Sequence, residues 1–339
     1  MIAILGGGVA GASLARALAL RGRKDVVVFD PRPICSGSTA GAMGGFRTQH
    51  GSALNVALSL ASRPYFERLA GRIGFRPDGY LYLADTQAAE IELRRRAELQ
   101  RELGIPIEHP DVRRLVPFLE LDGVLGANFC ALDGLYEPPL VLAAMVEEAR
   151  EHGVDFRYGT SAAPTALEAE QVVVASGIWS HEVGRSLGVE LAVEPLERGV
   201  FKVGPFDWLP EHIPMTLEAG SGYHFRERDR RLCLMGPGDQ ADYGPFREWL
   251  SRRAPKAAVP EPEAHLSCHY EVTFDHHPLV GATGRHAVWA DCGFSGHGVM
   301  HSPAIGESLA AMILGDTPPL DISPLSPLRK EPLQDVTQL

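Results

Sequence analysis

The chain has 339 residues, 45% apolar and 22% charged, which is long enough for two domains or one large elaborated domain around a packed core. Its formal charge of −11 argues against non-specific nucleic-acid binding, which needs basic surface, and means that an anionic substrate requires a local cationic pocket. Five scattered cysteines, Cys35, Cys130, Cys233, Cys268 and Cys292, show no CxxC or zinc spacing, so a reducing compartment, the cytoplasm, is expected.

The first apolar run, residues 1–5, reads as a strand. No basic segment precedes it, and the glycines and Arg16 behind it break the hydrophobic stretch, so neither a signal peptide nor a membrane helix is expected. Gly6-Gly7-Gly8-Val9-Ala10-Gly11 comes next and opens a helix of small and aliphatic residues, 12–20. A second apolar run, 26–29, ends in Asp30. This strand, glycine turn, helix, strand and acid is the layout that binds a dinucleotide. Gly6 permits the tight turn, Gly8 lets backbone approach a pyrophosphate, and Gly11 lets the helix pack closely on the strand. The helix N-terminus, with Val9 and Ala10, offers unpaired N–H donors to phosphate. Asp30, nineteen residues beyond Gly11, is placed to accept from the adenosine ribose.

Residues 52–69 have helical spacing, with Pro64 expected to kink or divide the helix. Residues 80–84 read as a strand and 90–103 as a charged amphipathic helix, in which Arg94, Arg95 and Arg96 form a solvated face. A helix over 139–152 precedes a strand over 154–158 and the apolar run 171–177, which reads as a parallel strand. That strand ends in the turn Ala175-Ser-Gly177, a second place where backbone meets the cofactor. Strand-like runs at 199–203, 222–226 and 232–235 predict a mostly antiparallel sheet, and 246–258 a further helix.

The last third returns to nucleotide-binding style, with a strand at 287–290, the loop Gly293-Phe-Ser-Gly296-His297-Gly298, and a helix over 303–314. Ser302 is expected to cap that helix and Pro303 to open it. A helix starting there leaves His297 and His301 without metal-like geometry. His276 and His277 would face opposite sides of a strand, so no metal site is expected. Beyond Gly315 the chain is Pro-rich and reads as a peripheral tail.

Several motifs together resemble one family. They are Gly6-x-Gly8-x-x-Gly11, Ser36-Gly-Ser38-Thr39 through Gly44-Gly45-Phe46-Arg47, Gly79-Tyr-Leu-Tyr82, and Val173-Val-Ala175-Ser-Gly177-Ile-Trp179. Tyr270-Glu-x-Thr-x-Asp-His-His-Pro278 and Gly293-Phe-Ser-Gly-His-Gly298 complete the set in order. The chain resembles the FAD-dependent D-amino-acid oxidase superfamily, in its sarcosine oxidase, glycine oxidase and dye-linked proline dehydrogenase branch. The resemblance implies an α/β fold, with a Rossmann-like FAD-binding domain and an α+β substrate domain whose mixed, mostly antiparallel sheet covers the flavin. The implied boundaries are 1–76, 133–194 and 270–326 for the FAD domain, 77–132 and 195–269 for the substrate domain, and 327–339 for a tail.

By the same resemblance, Gly6, Gly8 and Gly11 would contact the pyrophosphate, and Asp30 the ribose. Pro31, Arg32, Ser38 and Thr39 would lie near the adenine and phosphates, with Ala175, Gly177 and Trp179 beside them. Gly44, Gly45 and Phe46 would pass along the flavin. Gly293 and the loop Gly296, His297, Gly298, Val299 and Met300 would lie against its pyrimidine end. The implied reaction is hydride removal from the carbon beside the amine of a small, secondary amino acid, giving an imine. Arg47 would anchor the substrate carboxylate, a task that suits a permanently charged bidentate guanidinium, and Tyr223 would orient the substrate.

Departures from the family pattern accompany these matches. Met300 stands where sarcosine-oxidase-like relatives have a lysine. Counting from Tyr223, Leu234 and Gly238 replace a lysine that promotes oxygen reduction and an active-site histidine, which favours a dehydrogenase with another electron acceptor. Residues 161–170 replace a longer hairpin of the relatives. Cys268, seven residues before Asp275, stands where some relatives bind flavin covalently, and a thioether and an inert buried cysteine both remain open. A 2-hydroxy-acid dehydrogenase and a flavin-bearing subunit of a larger complex are the alternative functions, and homo-oligomer or hetero-oligomer is left open.

Overall fold

The computed structural model describes residues 1–162 and 168–333, so parts of the expected short segment 161–170 and of the tail lie outside the described residues. Two sheets organise these residues. The six-stranded sheet runs in the order Leu279–Ala282 (β14), Val288–Cys292 (β15), Gln171–Val174 (β8), Ile2–Leu5 (β1), Val26–Asp30 (β2) and Asp155–Tyr158 (β7). Strands β1, β2 and β8 pair in parallel, and β1 and β2 are buried along their whole lengths, as expected of apolar strands covered on both faces.

Helices Val9–Leu20 (α1), Ala53–Arg68 (α3), Pro138–Glu151 (α7) and Gly298–Leu314 (α10) contribute Leu14, Leu18, Leu58, Phe66, Val141 and Ile305 to the core against this sheet. Two small residues bring α1 and α10 together. A Cβ on Gly306 would fall 2.5 Å from Ser13 Oγ, and that hydroxyl donates to Ser302 O at 2.7 Å.

The seven-stranded sheet runs in the order Ala264–Val272 (β13), Glu194–Val203 (β9), Arg231–Met235 (β12), His224–Arg228 (β11), Met215–Glu218 (β10), Tyr80–Ala84 (β4) and Gly126–Cys130 (β5). It is antiparallel except where β10 pairs with β4. Strand β13 continues through residue 272, past the expected boundary at 269. One face carries Phe201, Phe225, Phe246 and Trp249, the last two from the helix Gly244–Arg253 (α9). Tyr80, Tyr82, Met215, Cys233 and Met235 form a separate apolar cluster.

The charged helix Gln87–Glu102 (α5) carries Arg94 and Arg96 paired with Glu90 and Glu92. Short helices Ser38–Gly41 (α2), Ala70–Ile73 (α4), Val112–Leu115 (α6) and Ser180–Ser186 (α8) complete the helical elements named here. Gly45–Phe46 (β3) pairs with Gly134–Leu135 (β6). Beside this ribbon, buried Arg226 of β11 donates to Met43 O at 2.7 Å, Tyr136 O at 2.9 Å and Glu137 Oε1 at 2.8 Å.

Four expectations are corrected. Helix α3 runs unbroken through Pro64, because the carbonyl that loses its donor, four residues back at Leu60, lies on an exposed stretch open to water. Helix α10 begins at Gly298, with His297 at its cap, rather than at Pro303. Ser302 is inside the helix, and its hydroxyl donates at 3.2 Å to Val299 O, the carbonyl that Pro303 cannot serve. His276 and His277 lie in a turn, where His276 has φ 60° and is exposed while His277 is buried. Past Gly315 the chain is anchored, with Ile322 and Leu325 fully buried and Arg329 donating to Asp275 Oδ1 at 2.7 Å.

Candidate active site

A cavity of about 500 Å³ opens over the carboxyl ends of β1, β2 and β8, where an open α/β sheet binds its ligands. The glycines that shape its floor have separate reasons. Gly6 sits at φ 121°, and a Cβ there would lie 2.1 Å from Ala175 O. A Cβ on Gly8 would meet only Thr39 Oγ1, at 3.7 Å, so its absence leaves backbone open to a ligand. Gly8 caps α1 without a side chain, so the first-turn N–H groups face the cavity with the positive end of the helix dipole.

Buried Asp30 accepts from Gly7 N–H at 3.0 Å through one oxygen and from Arg32 N–H at 2.9 Å through the other, which leaves lone pairs for a ribose. Arg32 stacks over the Trp179 ring at 3.8 Å and walls the outer end. The cavity, the helix terminus on its wall and the carboxylate together fit a dinucleotide.

Three stretches of chain run from this cavity to a second one of about 130 Å³. They are residues 39–42, 270–271 and 294–296, each contributing to both walls. Gly44, at φ 77°, and Gly45 line the second cavity, and both must be glycine, since a Cβ would lie 2.1 Å from Tyr136 O at the first and 2.5 Å from Tyr80 Oη at the second. Gly296, at φ 87°, approaches Tyr270 as closely, with 2.7 Å from its would-be Cβ to the ring. His297, Val299 and Met300 line the same space.

Arg47 enters it from the segment after β3. The residue is 2% exposed, and its guanidinium donates to Tyr82 Oη at 2.6 Å and to His297 Nε2 at 2.6 Å. Burial and the neighbouring Arg47 charge hold His297 well below the usual imidazole range, so the ring is neutral and its Nε2 accepts. Asp133 fastens the segment behind Arg47, accepting from Thr48 N–H at 2.5 Å, Thr48 Oγ1 at 2.6 Å and Gln49 Nε2 at 3.0 Å. Burial pushes its carboxyl up to about 6 despite these donors.

Most of the expected cofactor residues, Gly6, Gly8, Val9, Ala10, Asp30, Pro31, Arg32, Ser38, Thr39, Ala175, Gly177 and Trp179, line the first cavity. Gly11 does not; it serves the close packing, since a Cβ there would lie 2.0 Å from Gly6 O. Phe46 lines neither cavity, because the strand alternation turns it into the core against Phe66 and Phe75. Gly293 packs on Thr273 and Gly298 on Phe294, each one residue or more from the cavity wall. Cys268 packs against Gly41, is 7% exposed and lines neither cavity, and burial pushes its thiol up to about 11.

Tyr223 is the clearest correction. Its ring stacks on Trp249 at 5.4 Å and meets Phe246 edge-on at 5.2 Å, on the side of the sheet away from the site. The next residue, His224, lines the second cavity instead. One position along a strand exchanges the two faces, so Leu234, paired with Phe225, also belongs to the outer layer, while Met235 faces the cavity and Gly238 lies on an exposed loop.

Sequence reasoning missed Arg198, His224, Asp133 and Glu271. The alternation Tyr223-His-Phe-Arg226, aromatic on one face and polar on the other, held the signal for His224. Glu271 lines the first cavity, accepts from Gly293 N–H at 2.9 Å, and is pushed up to about 7 by burial.

A family model described as FAD dependent oxidoreductase matches residues 1–312. Dimethylglycine dehydrogenase of Rattus norvegicus is 25% identical over 96% of this chain and 44% of its own length, so the chain spans less than half of that relative. Glycine oxidase of Bacillus licheniformis is 29% identical, with 92% of each chain covered. The crystal structure of L-proline dehydrogenase from P. horikoshii superposes with a TM-score of 0.88 at 24% identity, covering 96% of both chains. The two-sheet α/β architecture is therefore that of solved members, and the glycine cradle with Asp30 fits the dinucleotide the family name specifies. The chain belongs to the FAD dependent oxidoreductase family.

Proposed function

We propose that this chain oxidises the C–N bond of a small amino acid, a secondary amine in preference, as an FAD-dependent dehydrogenase. The observation that carries the reading is the buried guanidinium of Arg47, held by Tyr82 and a neutral histidine on the wall of the second cavity. A permanently charged bidentate donor in a small, partly apolar space is suited to a substrate carboxylate. Bound FAD supplies the two-electron acceptor.

The protein's own groups do the rest. Residues 6–10, Asp30 and Thr39 hold the dinucleotide in the first cavity. Arg47 fixes the carboxylate and thereby the carbon beside the amine. His224 Nδ1 donates to Gly222 O at 3.0 Å, which leaves the lone pair on Nε2 to accept from the substrate amine. Loss of hydride from carbon and of the amine proton to water forms the C=N bond, and water then hydrolyses the imine. The α10 N-terminus points its positive end at the loop expected to border the flavin, which favours negative charge there.

Two further features support the finer reading. Among the described residues no lysine lines either cavity, which favours an electron acceptor other than oxygen. A thiol raised by burial is a poor nucleophile, so FAD is proposed to be held without a covalent bond to Cys268. The test is dye-linked turnover by the purified flavoprotein. Turnover on proline or N-methylglycine is expected, and turnover confined to 2-hydroxy acids would replace the amine with an alcohol.

A further inference from the structure

One side chain holds part of the rim of the second cavity. Gly236 and Pro237 line that cavity, and Pro237, Gly238 and Asp239 are exposed, so this loop is its edge toward solvent. Gln240 is buried beneath the loop. Its Nε2 donates to Gly236 O at 3.2 Å and to Gly238 O at 2.6 Å, and its Oε1 accepts from Gly199 N–H at 2.8 Å. Carbonyls on one side of the amide and an N–H on the other admit only this orientation. The loop is thereby tied to β9 at a point of close approach, where a Cβ on Gly199 would lie 2.1 Å from Gln240 O.

Residues 219–222 form the facing edge and are fastened independently. Ala219 and Gly222 line the cavity, and Asp85 accepts from Gly220 N–H at 2.6 Å and Ser221 N–H at 2.9 Å. A Cβ on Gly222 would stand 3.7 Å from Pro237 Cδ, an ordinary van der Waals contact, so the two edges meet at this pair. Gly222 O also accepts from His224 Nδ1, and His224 is the group proposed to receive the substrate amine. The walls expected to border the flavin, Gly44, Gly45 and the loop from Gly296, belong to other segments. A substituent on the amine nitrogen therefore extends toward Pro237, whose position depends on Gln240.

We propose that Gln240 is a positioning residue that, by holding Pro237 over Gly222, restricts the group on the substrate nitrogen to a methyl or a ring methylene. The inference rests on the amine-oxidation reading above and narrows its substrate class. Gln240→Met keeps the length of the side chain but removes all three bonds and leaves the buried Gly199 N–H unpaired, which releases the loop.

The test compares N-methylglycine with N-butylglycine in anaerobic dye-linked assays of the flavin-loaded protein. The parent is expected to favour the methyl compound in kcat/KM by about tenfold or more. Gln240→Met is expected to shrink that ratio about fivefold, and Pro237→Gly to do the same. Adding Gln240→Met to Pro237→Gly should move the ratio by less than about twofold, because the glutamine acts through the proline. A purely structural loss lowers both substrates alike and leaves the ratio where it was. Equal use of the two amines by the parent, or a ratio unmoved in Gln240→Met, overturns the proposal.

A second measurement separates its failure from that of the amine reading: titration of the flavin spectrum with methylthioacetate and butylthioacetate, in which sulfur replaces the nitrogen. Tighter binding of the methyl compound by about tenfold, with the difference lost in Gln240→Met, supports the size limit even if neither amine turns over. That outcome removes the amine reading alone. Equal binding of the two acids, or binding of neither, overturns the proposal.

Discussion

Arg47 Nη2 donates to His297 Nε2 across 2.6 Å, and both side chains are buried. A guanidinium has no acceptor, so the contact requires the neutral imidazole with its proton on Nδ1. Because His297 caps α10, the expected carboxylate anchor is tied to the helix and loop that border the flavin side of the cavity. Behind it, His50 Nε2 lies 3.0 Å from Arg47 O and 3.0 Å from Ser59 Oγ, and His301 Nε2 lies 3.1 Å from the same hydroxyl.

Arg47→Met removes the charge and the contacts to Tyr82 and His297 while keeping bulk. Truncating a buried, hydrogen-bonded charge pair costs about 2–5 kcal/mol, so KM for the amino acid should rise about 30-fold or more, with a smaller change in kcat. Steady-state kinetics on the flavin-loaded variant reads this directly. An unchanged KM removes the anchor.

Tyr223 and His224 differ in face, so they should differ in effect. Tyr223→Phe keeps the stacking on Trp249 and should leave kcat/KM within about twofold, since surface-remote conservative changes cost little. His224→Leu should raise KM by about tenfold, the loss of one hydrogen bond to a charged group at about 1.4 kcal/mol. The reverse ranking would return Tyr223 to the site.

Asp291 is 1% exposed, and neither of its oxygens has a hydrogen-bond partner among the described residues. Burial first, then the neighbouring Glu271 charge, pushes its carboxyl up to about 7. The folded state therefore keeps a proton that the unfolded chain releases near the ordinary value of about 3.9, so this group lowers stability as pH rises from about 4 through 7. Asp291→Asn should raise Tm by several degrees at pH 8 and by less at pH 5. Buried neutral His301, held near about 3, contributes the opposite slope, with stability present above the ordinary imidazole value and lost below it, in both proteins alike. The difference between variant and parent cancels His301 and reads Asp291 together with its coupling to Glu271, and a gain independent of pH contradicts the assignment.

Cys268 should not hold the flavin. Acid precipitation should leave all yellow colour in the supernatant, and Cys268→Ser should retain flavin to the same extent as the parent. Colour in the pellet, lost in Cys268→Ser, would establish the thioether.

The nucleotide end of the molecule was legible because its signals are local. A buried strand, a turn that only glycine can make and an acid at the next strand end lie within 30 consecutive residues. The start of α10 was misread because Pro303 ordinarily opens a helix. Here Ser302 supplies Val299 O with the hydrogen bond that the proline lacks, and the helix extends back to Gly298. Tyr223 was misplaced because its role came from a resemblance, while strand parity depends on register with β12, where His224 faces Met235. Asp133 and Arg198 had no pattern at all. Each gains its meaning from partners brought in by tertiary structure, Thr48 and Gln49 for the first and Tyr270 for the second.

The most direct test is the visible spectrum of the purified protein, recorded anaerobically before and after addition of a small secondary amino acid. The expected result is a yellow, flavin-loaded protein whose colour bleaches on addition of the amine and far more slowly in Arg47→Met. A flavin-loaded protein that keeps its colour with every amino acid offered, or bleaches equally with and without Arg47, contradicts the proposed chemistry.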